Sequence, residues 1–278
     1  MKYKIVSDSG ANLRKLDSDV EFASVPLKIS TDEREFVDDE KLDAWEMVSY
    51  LSGYKGKSGT ACPSVADWLD AFGDADEVFG FTITSTLSGS YNAARIAKED
   101  YEEMHPGRHV YIVDSLSAGP EMKILIEKVQ ELIDQGKDYE TICREISEYR
   151  KHTGLMFALE SLNNLANNGR VSPVVAKVAG VLGIRVVGCA SDHGELDPMD
   201  KCRGEKKALP AIFKYMKKMG YEGGKVRIDH CGNASAAERL ARGIMDGFPD
   251  ADIRIGETYG LCSYYAERGG LMIGFEKK

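Results

Sequence analysis

The chain has 278 residues, of which 43% are hydrophobic and 29% are charged, a composition typical of folded globular proteins and not of disordered ones. Its 36 basic and 45 acidic residues give a formal net charge of −9, which repels nucleic-acid phosphates and anionic lipid surfaces. Nucleic acid is therefore not an expected partner. The sequence also shows no apolar stretch of signal-peptide or membrane-spanning length, so we expect a cytoplasmic protein without stable membrane insertion.

The cysteines and the glycine-rich motifs point to no metal or cofactor. The six cysteines are spread along the chain without a CxxC pair, which fits neither a small disulfide-bonded domain nor a zinc site. Neither GxGxxG nor GxxxxGK[ST] occurs, so a bound nucleotide cofactor has no fingerprint here. We expect reduced thiols, no metal and no cofactor.

The first half alternates short apolar runs with amphipathic stretches, the pattern of βαβ units around a mainly parallel sheet. The predicted strands are Tyr3 to Ser7, Ala23 to Ile29, Glu77 to Thr84 and His109 to Val113. Helices are predicted from Ser64 to Phe72 and from Gly89 to Met104, because their apolar residues recur with helical spacing. This half is expected to be an α/β domain with helices flanking its sheet.

The pattern changes after two helices predicted at Pro120 to Asp134 and Tyr139 to His152. We therefore predict a domain boundary near residue 153, with domains at 1–152 and 153–278. The second domain is expected to be α+β with a mixed or antiparallel sheet, because a hairpin is predicted around Asp192-His193-Gly194. Its other predicted elements are a strand Leu155 to Leu159, two short helices split by Asn167-Asn168-Gly169, an apolar stretch Val174 to Leu182, helices Glu205 to Met219 and Ser235 to Met245, and strands Lys225 to Asp229, near Ile253 and Leu271 to Phe275.

Small hydroxyl residues follow three predicted strands of the first half. Ser9 follows the first strand, Ser88-Gly89-Ser90 the third and Ser115 the fourth. Ligands of open α/β sheets bind at the carboxyl ends of the strands, where hydroxyls and helix N-terminal N–H groups can hold an anion. Such residues also serve as helix caps and turns, as Ser88 or Ser90 would for the helix that follows. Their shared edge favours a ligand site.

Three further positions are candidates. Thr60 lies in a hydroxyl-rich turn at 57–64, where it either caps the next helix or contacts a ligand. Ser64 or Pro63 is placed to open that helix. Arg203 precedes a predicted helix and either binds a carboxylate or phosphate or is a solvated charge. Arg170, beside a turn and a helix start, is predicted to tie two helices together.

Enzyme signatures are weak. Asp8 is followed by Gly10 where an aspartyl-phosphate enzyme has a second acid, and Ser88 is not in a GxSxG turn. His230 beside Asp229 is the one histidine of interest, and a surface or capping role fits it as well. A hydrolase or phosphotransferase that uses Asp8, Ser88 or His230 stays open as an alternative.

Several motifs, in this order, resemble the DegV family. They are Ile5-Val6-Ser7-Asp8-Ser9, Val25-Pro26-Leu27, Thr60-Ala-Cys-Pro63-Ser64, Leu87-Ser88-Gly89-Ser90-Tyr91-Asn92-Ala93-Ala94, Val113-Asp114-Ser115, Leu162-Asn-Asn-Leu165 with Gly169-Arg170-Val171-Ser172, and Asp192 to Gly194 with Arg203. The resemblance spans nearly the whole chain. Their ordered succession is much more specific than any single motif.

This resemblance implies a bacterial fatty-acid-binding protein that is not itself an enzyme. A long-chain fatty acid would lie between an α/β and an α+β domain, with Thr60 and Ser88 holding its carboxylate and Arg203 near the ligand opening or a partner surface. Ser9, Gly89, Ser90 and Ser115 complete the predicted ligand-binding set. The family's members present the acid to a separate fatty acid kinase, which makes an acyl phosphate for phospholipid synthesis.

The sequence departs from the family pattern in three places. Ala61-Cys62 replaces a Ser-Gln pair, and the family's proline after the apolar helix is replaced near Val186. The segment Gly260 to Gly270 contains no counterpart of the family's usual histidine. Ser263, Tyr264 and Tyr265 are candidate hydrogen-bond donors in its place, and the sequence does not choose among them. A regulatory interaction protein with a vestigial pocket stays open as a third function.

Overall fold

The computed structural model describes residues 2–172 and 183–278. The predicted stretch Val174 to Leu182 lies outside these residues. The described strands are β1 (Tyr3–Asp8), β2 (Glu21–Val25), β3 (Lys28–Thr31), β4 (Glu35–Val37), β5 (Ser58–Ala61), β6 (Glu77–Thr82), β7 (His109–Asp114), β8 (Thr153–Leu159), β9 (Ile184–Ala190), β10 (Leu196–Arg203), β11 (Val226–His230), β12 (Ile253–Glu257) and β13 (Leu271–Glu276). The described α-helices are α1 (Ala44–Gly53), α2 (Val65–Phe72), α3 (Ser90–Met104), α4 (Pro120–Asp134), α5 (Tyr139–Tyr149), α6 (Asn163–Asn167), α7 (Glu205–Lys218), α8 (Ala234–Gly247) and α9 (Gly260–Ala266).

A parallel sheet of order β2-β1-β6-β7 forms the first layer, as predicted. Its strands are short apolar runs because helices cover both faces. Neighbouring residues of β1 show this alternation: Val6 packs with Trp68 and Tyr101 of α2 and α3, whereas Ile5 packs on the side of α4 and α5. The carboxyl ends of all four strands therefore meet at one edge, where the predicted hydroxyl loops begin.

The predicted strand from Ala23 to Ile29 is wrong, because Pro26 divides it. Proline has no N–H for a sheet ladder and occurs at strand ends and edges. After Pro26 the chain leaves the parallel sheet, and β3 pairs antiparallel with β4 and β5 in a small separate sheet. Thr60 accordingly lies within β5, opposite Ile29, and not in a turn as predicted. The predicted role of Ser64 is confirmed, since it opens α2 with a reciprocal hydrogen-bonded capping pair to Asp67.

The second half contains a mixed sheet of order β10-β9-β8-β13-β11-β12. The predicted hairpin is confirmed: β9 and β10 pair antiparallel across it. α7 and α8 cover one face of the sheet, where they bury Met156 and Ala158 of β8. The alternate residues of β8 point to the other face, toward the first half of the molecule. This second face supplies the floor of the cavity described below.

α4 joins the two halves, because it packs against both β1 and β13. Lys123 of α4 donates to Asp229 of β11 at 2.7 Å, and Asn12 donates to the other oxygen of the same carboxylate at 2.8 Å. Asp229 is buried, so these two donors offset its desolvation. Within 2–172 and 183–278, no helix combines the length and the hydropathy needed to cross a bilayer.

Candidate functional site

A cavity of about 320 Å³ lies between the parallel sheet, the small sheet and the mixed sheet. Most of its wall is aliphatic, and it reaches the surface near the exposed residues Ala61, Cys62 and Gly89. Its described lining residues are Leu27, Thr60, Ala61, Cys62, Ile83, Thr84, Leu87, Ser88, Gly89, Ala118, Leu155, Phe157, Leu159, Leu165, Arg170, Leu196, Leu261, Cys262, Tyr265, Ala266 and Met272. Apolar clefts with a few convergent polar groups are typical small-molecule sites.

Thr60 and Tyr265 form a hydroxyl pair in this wall. The Thr60 hydroxyl lies 2.7 Å from the Tyr265 phenol, so one donates to the other. Burial raises the pKa of Tyr265, and the phenol therefore keeps its proton at neutral pH. A protonated phenol can donate to Thr60 and leave the Thr60 O–H free for an acceptor inside the cavity.

Of the three candidates for the missing histidine, only Tyr265 lines this cavity. The Tyr264 phenol lies 2.8 Å from the Ser58 hydroxyl and accepts from Asn168 Nδ2 at 2.9 Å. Ser263 is buried and its hydroxyl lies 2.7 Å from that of Thr258. The three residues were equal candidates from the sequence, and the structure places only Tyr265 among the described residues of the cavity wall.

Asp38 fixes the start of the helix that carries Tyr265. Its carboxylate accepts from the backbone N–H groups of Gly260 and Leu261 at 3.0 and 2.9 Å, and from Arg14 at 2.5 Å. Asp38 is fully buried, in the loop after β4 of the small sheet. α9 is therefore held at both ends by that sheet, at its first turn by Asp38 and near its last by Thr60.

The Ser88 loop lies next to β5 across the cavity opening. A Cβ atom on Gly89 would be 3.1 Å from Cys62 Sγ, closer than most real Cβ contacts, so glycine allows the close approach. Ser88 precedes α3, and its hydroxyl accepts from the Ser90 N–H at 3.2 Å. This interaction leaves the Ser88 O–H proton available to a ligand.

Arg170 is the cation of the cavity wall. Its Nε donates to the Leu87 carbonyl at 3.0 Å, and its NH1 donates to the Asn168 carbonyl. The predicted structural tie is real, but it joins the Ser88 loop to the turn after α6 instead of joining two helices. Arg170 was not among the ligand-binding residues predicted from the sequence, although it lies in a motif with Ser172 that resembles the hydroxyl-rich loops.

Ser9, Ser90 and Ser115 do not line the cavity, in contrast to the prediction. Ser90 donates to Asp8 Oδ2 at 2.6 Å, and Ser9 accepts from the Leu27 N–H at 3.0 Å. The Ser115 hydroxyl donates to the Ser117 carbonyl at 3.1 Å and accepts from the Ser117 N–H. All three are buried and hydrogen-bonded: Ser9 and Ser115 satisfy the backbone of the loops at the sheet edge, and Ser90 satisfies the Asp8 carboxylate.

Arg203 also lies away from the cavity. It is exposed at the end of β10, an edge strand, opposite Ile184. The two predicted locations were the ligand opening and a partner surface. Arg203 is not among the described residues that line the cavity.

The side chains of Asp8 and His230 both form hydrogen bonds with neighbouring backbone groups and do not face the cavity. Asp8 is completely buried and accepts from Ser90, from Ile83 N–H at 3.0 Å and from Gly10 N–H at 3.1 Å. Burial raises the pKa of Asp8 to about 7 despite these donors. His230 Nδ1 accepts from the Asn233 N–H at 3.3 Å, at the start of α8. Neither side chain lines the cavity with Ser88.

In the described part of the chain, no group of His, Cys, Asp or Glu side chains is arranged to hold a metal ion.

Comparisons with known proteins agree with this geometry. Residues 2–278 match the family model described as "Uncharacterised protein, DegV family". A DegV domain-containing protein of Streptococcus pneumoniae is 43% identical over 279 residues, which cover 99% of both chains. The crystal structure of the Streptococcus pneumoniae Fatty Acid Kinase (Fak) B3 protein loaded with linoleic acid is 43% identical, with a TM-score of 0.98 and complete coverage of both chains. A DegV family protein from Eubacterium eligens loaded with heptadecanoic acid is 46% identical with a TM-score of 0.97, covering 99% of this chain and 100% of the other. The chain therefore belongs to the DegV family.

Proposed function

We propose that this protein is a carrier of long-chain fatty acids that holds the acyl chain in the cavity and the carboxylate at its polar end. The main observation in support of this proposal is an aliphatic cavity that has the Thr60–Tyr265 hydroxyl pair and Ser88 beside its surface opening. Similar proteins from Streptococcus pneumoniae and Eubacterium eligens are loaded with linoleic and heptadecanoic acid. The ligand would thus lie between the elements of residues 1–152 and those of 153–278, the domain division that we propose.

The acyl chain would supply most of the affinity. Burial of apolar surface stabilises a complex by about 0.8 kcal/mol per methylene, so a chain of about 16 carbons gains on the order of 10 kcal/mol before the costs of association. The aliphatic residues of the wall, among them Leu155, Leu159 and Leu165, provide the matching surface. A short acid with the same carboxylate is expected to bind far more weakly.

Three hydroxyls and one cation would hold the carboxylate. In this arrangement Tyr265 donates to Thr60, Thr60 donates to one carboxylate oxygen, and Ser88 donates to the other. Chains of hydrogen bonds polarise one another, which strengthens the terminal donor. Arg170 adds positive charge nearby without leaving a bare ion pair in the apolar interior, where desolvation would be costly.

We further propose that the carboxylate is presented to a separate kinase in the cytoplasm, for phospholipid metabolism. The name of the similar pneumococcal protein, Fatty Acid Kinase (Fak) B3, supports this role. The proposed carboxylate position lies beside exposed residues, so a second protein can reach it. The exposed Arg203 belongs, in this proposal, to a partner surface.

The alternative functions have less support. An enzyme using Asp8 or His230 would need those groups to meet Ser88, and neither lines the cavity with it. A vestigial pocket would be filled, whereas the described residues enclose about 320 Å³.

Mass spectrometry of lipid extracted from the purified protein tests the proposal. We expect a long-chain fatty acid, and we expect delipidated protein to gain thermal stability from long-chain but not short-chain acids. Delipidated protein that ignores long-chain acids contradicts the carrier function. Thr60→Val should reduce this stabilisation, because a donor to the carboxylate is lost, whereas Ser115→Ala, which removes a hydroxyl outside the cavity, should retain it in full.

A further inference from the structure

Phe157 and Gly188 face each other across the mixed sheet. They are directly opposite in the antiparallel pairing of β8 with β9. A Cβ atom on Gly188 would be 2.4 Å from Cζ and 2.7 Å from Cε2 of Phe157. Real side chains do not approach so closely, so the phenyl ring occupies the space that a side chain at position 188 would need.

The same ring forms part of the cavity wall. Phe157 is 3% exposed, and it is the one phenylalanine among the described lining residues. It lies on the face of β8 that carries Leu155 and Leu159, opposite to the core under α7 and α8. The ring is therefore bounded on the sheet side by Gly188 and contributes to the cavity wall on another side.

We infer that Phe157, seated over Gly188, is a specificity-determining residue that sets the bulk of the acyl chain that the cavity accepts. This inference rests on the proposed carrier function. The glycine keeps the ring low against the sheet and the cavity large. The ring in turn takes up volume that an acyl chain would otherwise fill.

The inference predicts a direction for substitutions on both sides of the pair. Phe157→Leu removes ring volume from the wall and admits longer chains. A side chain at position 188 would lift the ring and shorten the accepted chain, although it would also meet the Asp197 carbonyl oxygen at 2.6 Å and strain the backbone. Each additional methylene that finds room raises affinity about fourfold.

The sheet contains a matched control. Phe275 lies opposite Gly154 in the pairing of β13 with β8, and a Cβ on Gly154 would be 3.0 Å from the Phe275 ring. Phe275 is buried in the core under α7 and α8 and is not a lining residue of the cavity. Phe275→Leu therefore removes the same atoms from the same kind of Phe-over-Gly pair without changing the wall.

The experiment measures binding of straight-chain saturated acids, from lauric to arachidic, to delipidated wild-type, Phe157→Leu and Phe275→Leu protein. For Phe157→Leu we expect the affinity optimum to move by about two methylenes toward longer acids, about a sixteenfold change in the ratio of arachidic to palmitic binding. Phe275→Leu should lower thermal stability and leave that ratio at the wild-type value. If Phe157→Leu does not fold, Phe157→Met should move the optimum in the same direction by less.

The outcomes separate this inference from the function on which it rests. The wild type could bind the acids while the folded Phe157 variant keeps the wild-type ratio of arachidic to palmitic binding. This result overturns the role of Phe157 and leaves the carrier function intact. An equal change of ratio in the Phe275→Leu variant also overturns it, because the effect would then come from sheet stability. A wild type that binds none of the acids contradicts the carrier function, and this inference falls with it.

Discussion

The Tyr265 phenol and the Thr60 hydroxyl are 2.7 Å apart, although 205 positions separate these residues in the chain. One lies on α9 of the second half and the other on β5 of the small sheet. Their contact joins the two halves at the polar end of the cavity. In the proposed carboxylate site, it gives Tyr265 a role that can be tested separately from that of its neighbours.

Tyr265→Phe should weaken fatty-acid binding by about five- to thirtyfold, because one donor of a charge-assisted network is lost while the ring stays in place. Calorimetric titration of delipidated protein measures the change. Tyr264→Phe is the matched control: it removes the adjacent phenol, which bonds to Ser58 and Asn168 outside the carboxylate network. Equal loss in both variants would contradict a specific role for Tyr265.

Ser88→Ala should reduce affinity by a similar factor with little effect on stability, since the Ser88 hydroxyl is only half-buried. Ser90→Ala, two residues along, should do the reverse. It removes the 2.6 Å donor to the buried Asp8 carboxylate and should lower the free energy of unfolding by about 1–3 kcal/mol. Chemical denaturation and ligand titration of both variants separate the two roles, and a Ser88→Ala protein with wild-type affinity would remove Ser88 from the site.

Asp8 should make stability depend on pH. Its pKa is raised to about 7 in the folded protein from a model-peptide value near 3.8, so the folded state binds the proton more tightly than the unfolded state. The resulting stabilisation is complete below about pH 4 and is lost as the pH rises through about 7. In Asp8→Asn this dependence is absent.

Denaturant unfolding of the wild type and Asp8→Asn at a series of pH values checks this. Relative to the variant, the wild type should lose up to about 4 kcal/mol between pH 4 and pH 7.5. The other carboxylates titrate in both proteins, so their contributions cancel when the free energy of unfolding of the variant is subtracted from that of the wild type. A difference independent of pH would show that the pKa of Asp8 is the same in the folded and unfolded states.

Asp38→Ala should cost about 3–5 kcal/mol of stability, because it leaves Arg14 without its buried partner and two N–H groups of α9 without an acceptor. It should also weaken fatty-acid binding, since α9 carries Tyr265. Asp43→Ala is a suitable control: it removes the N-cap of α1, an exposed cap worth about 1 kcal/mol. Wild-type affinity in a folded Asp38→Ala protein would show that Tyr265 does not depend on this cap.

Periodicity and turn residues are local properties, so the succession of parallel strands, crossover helices and hairpin could be predicted from the sequence alone. It also marked the Ser88 loop and Thr60 as candidate ligand contacts. Local patterns do not say which distant residues meet, and the packing of the sheets against one another settles this. Pro26 redirects β3 into a second sheet, and only that sheet brings Thr60 to the cavity and to Tyr265.

The same reason explains the hydroxyl residues that the sequence could not sort. Ser9, Ser88, Ser90 and Ser115 share a local context at strand ends, but three of them turn inward to satisfy buried backbone or Asp8. Tyr264 and Tyr265 are adjacent, yet neighbouring residues of a helix point in different directions, and the packing of α9 decides which phenol faces the cavity. The sequence specified which groups are available, and the meeting of three sheets determined which of them converge.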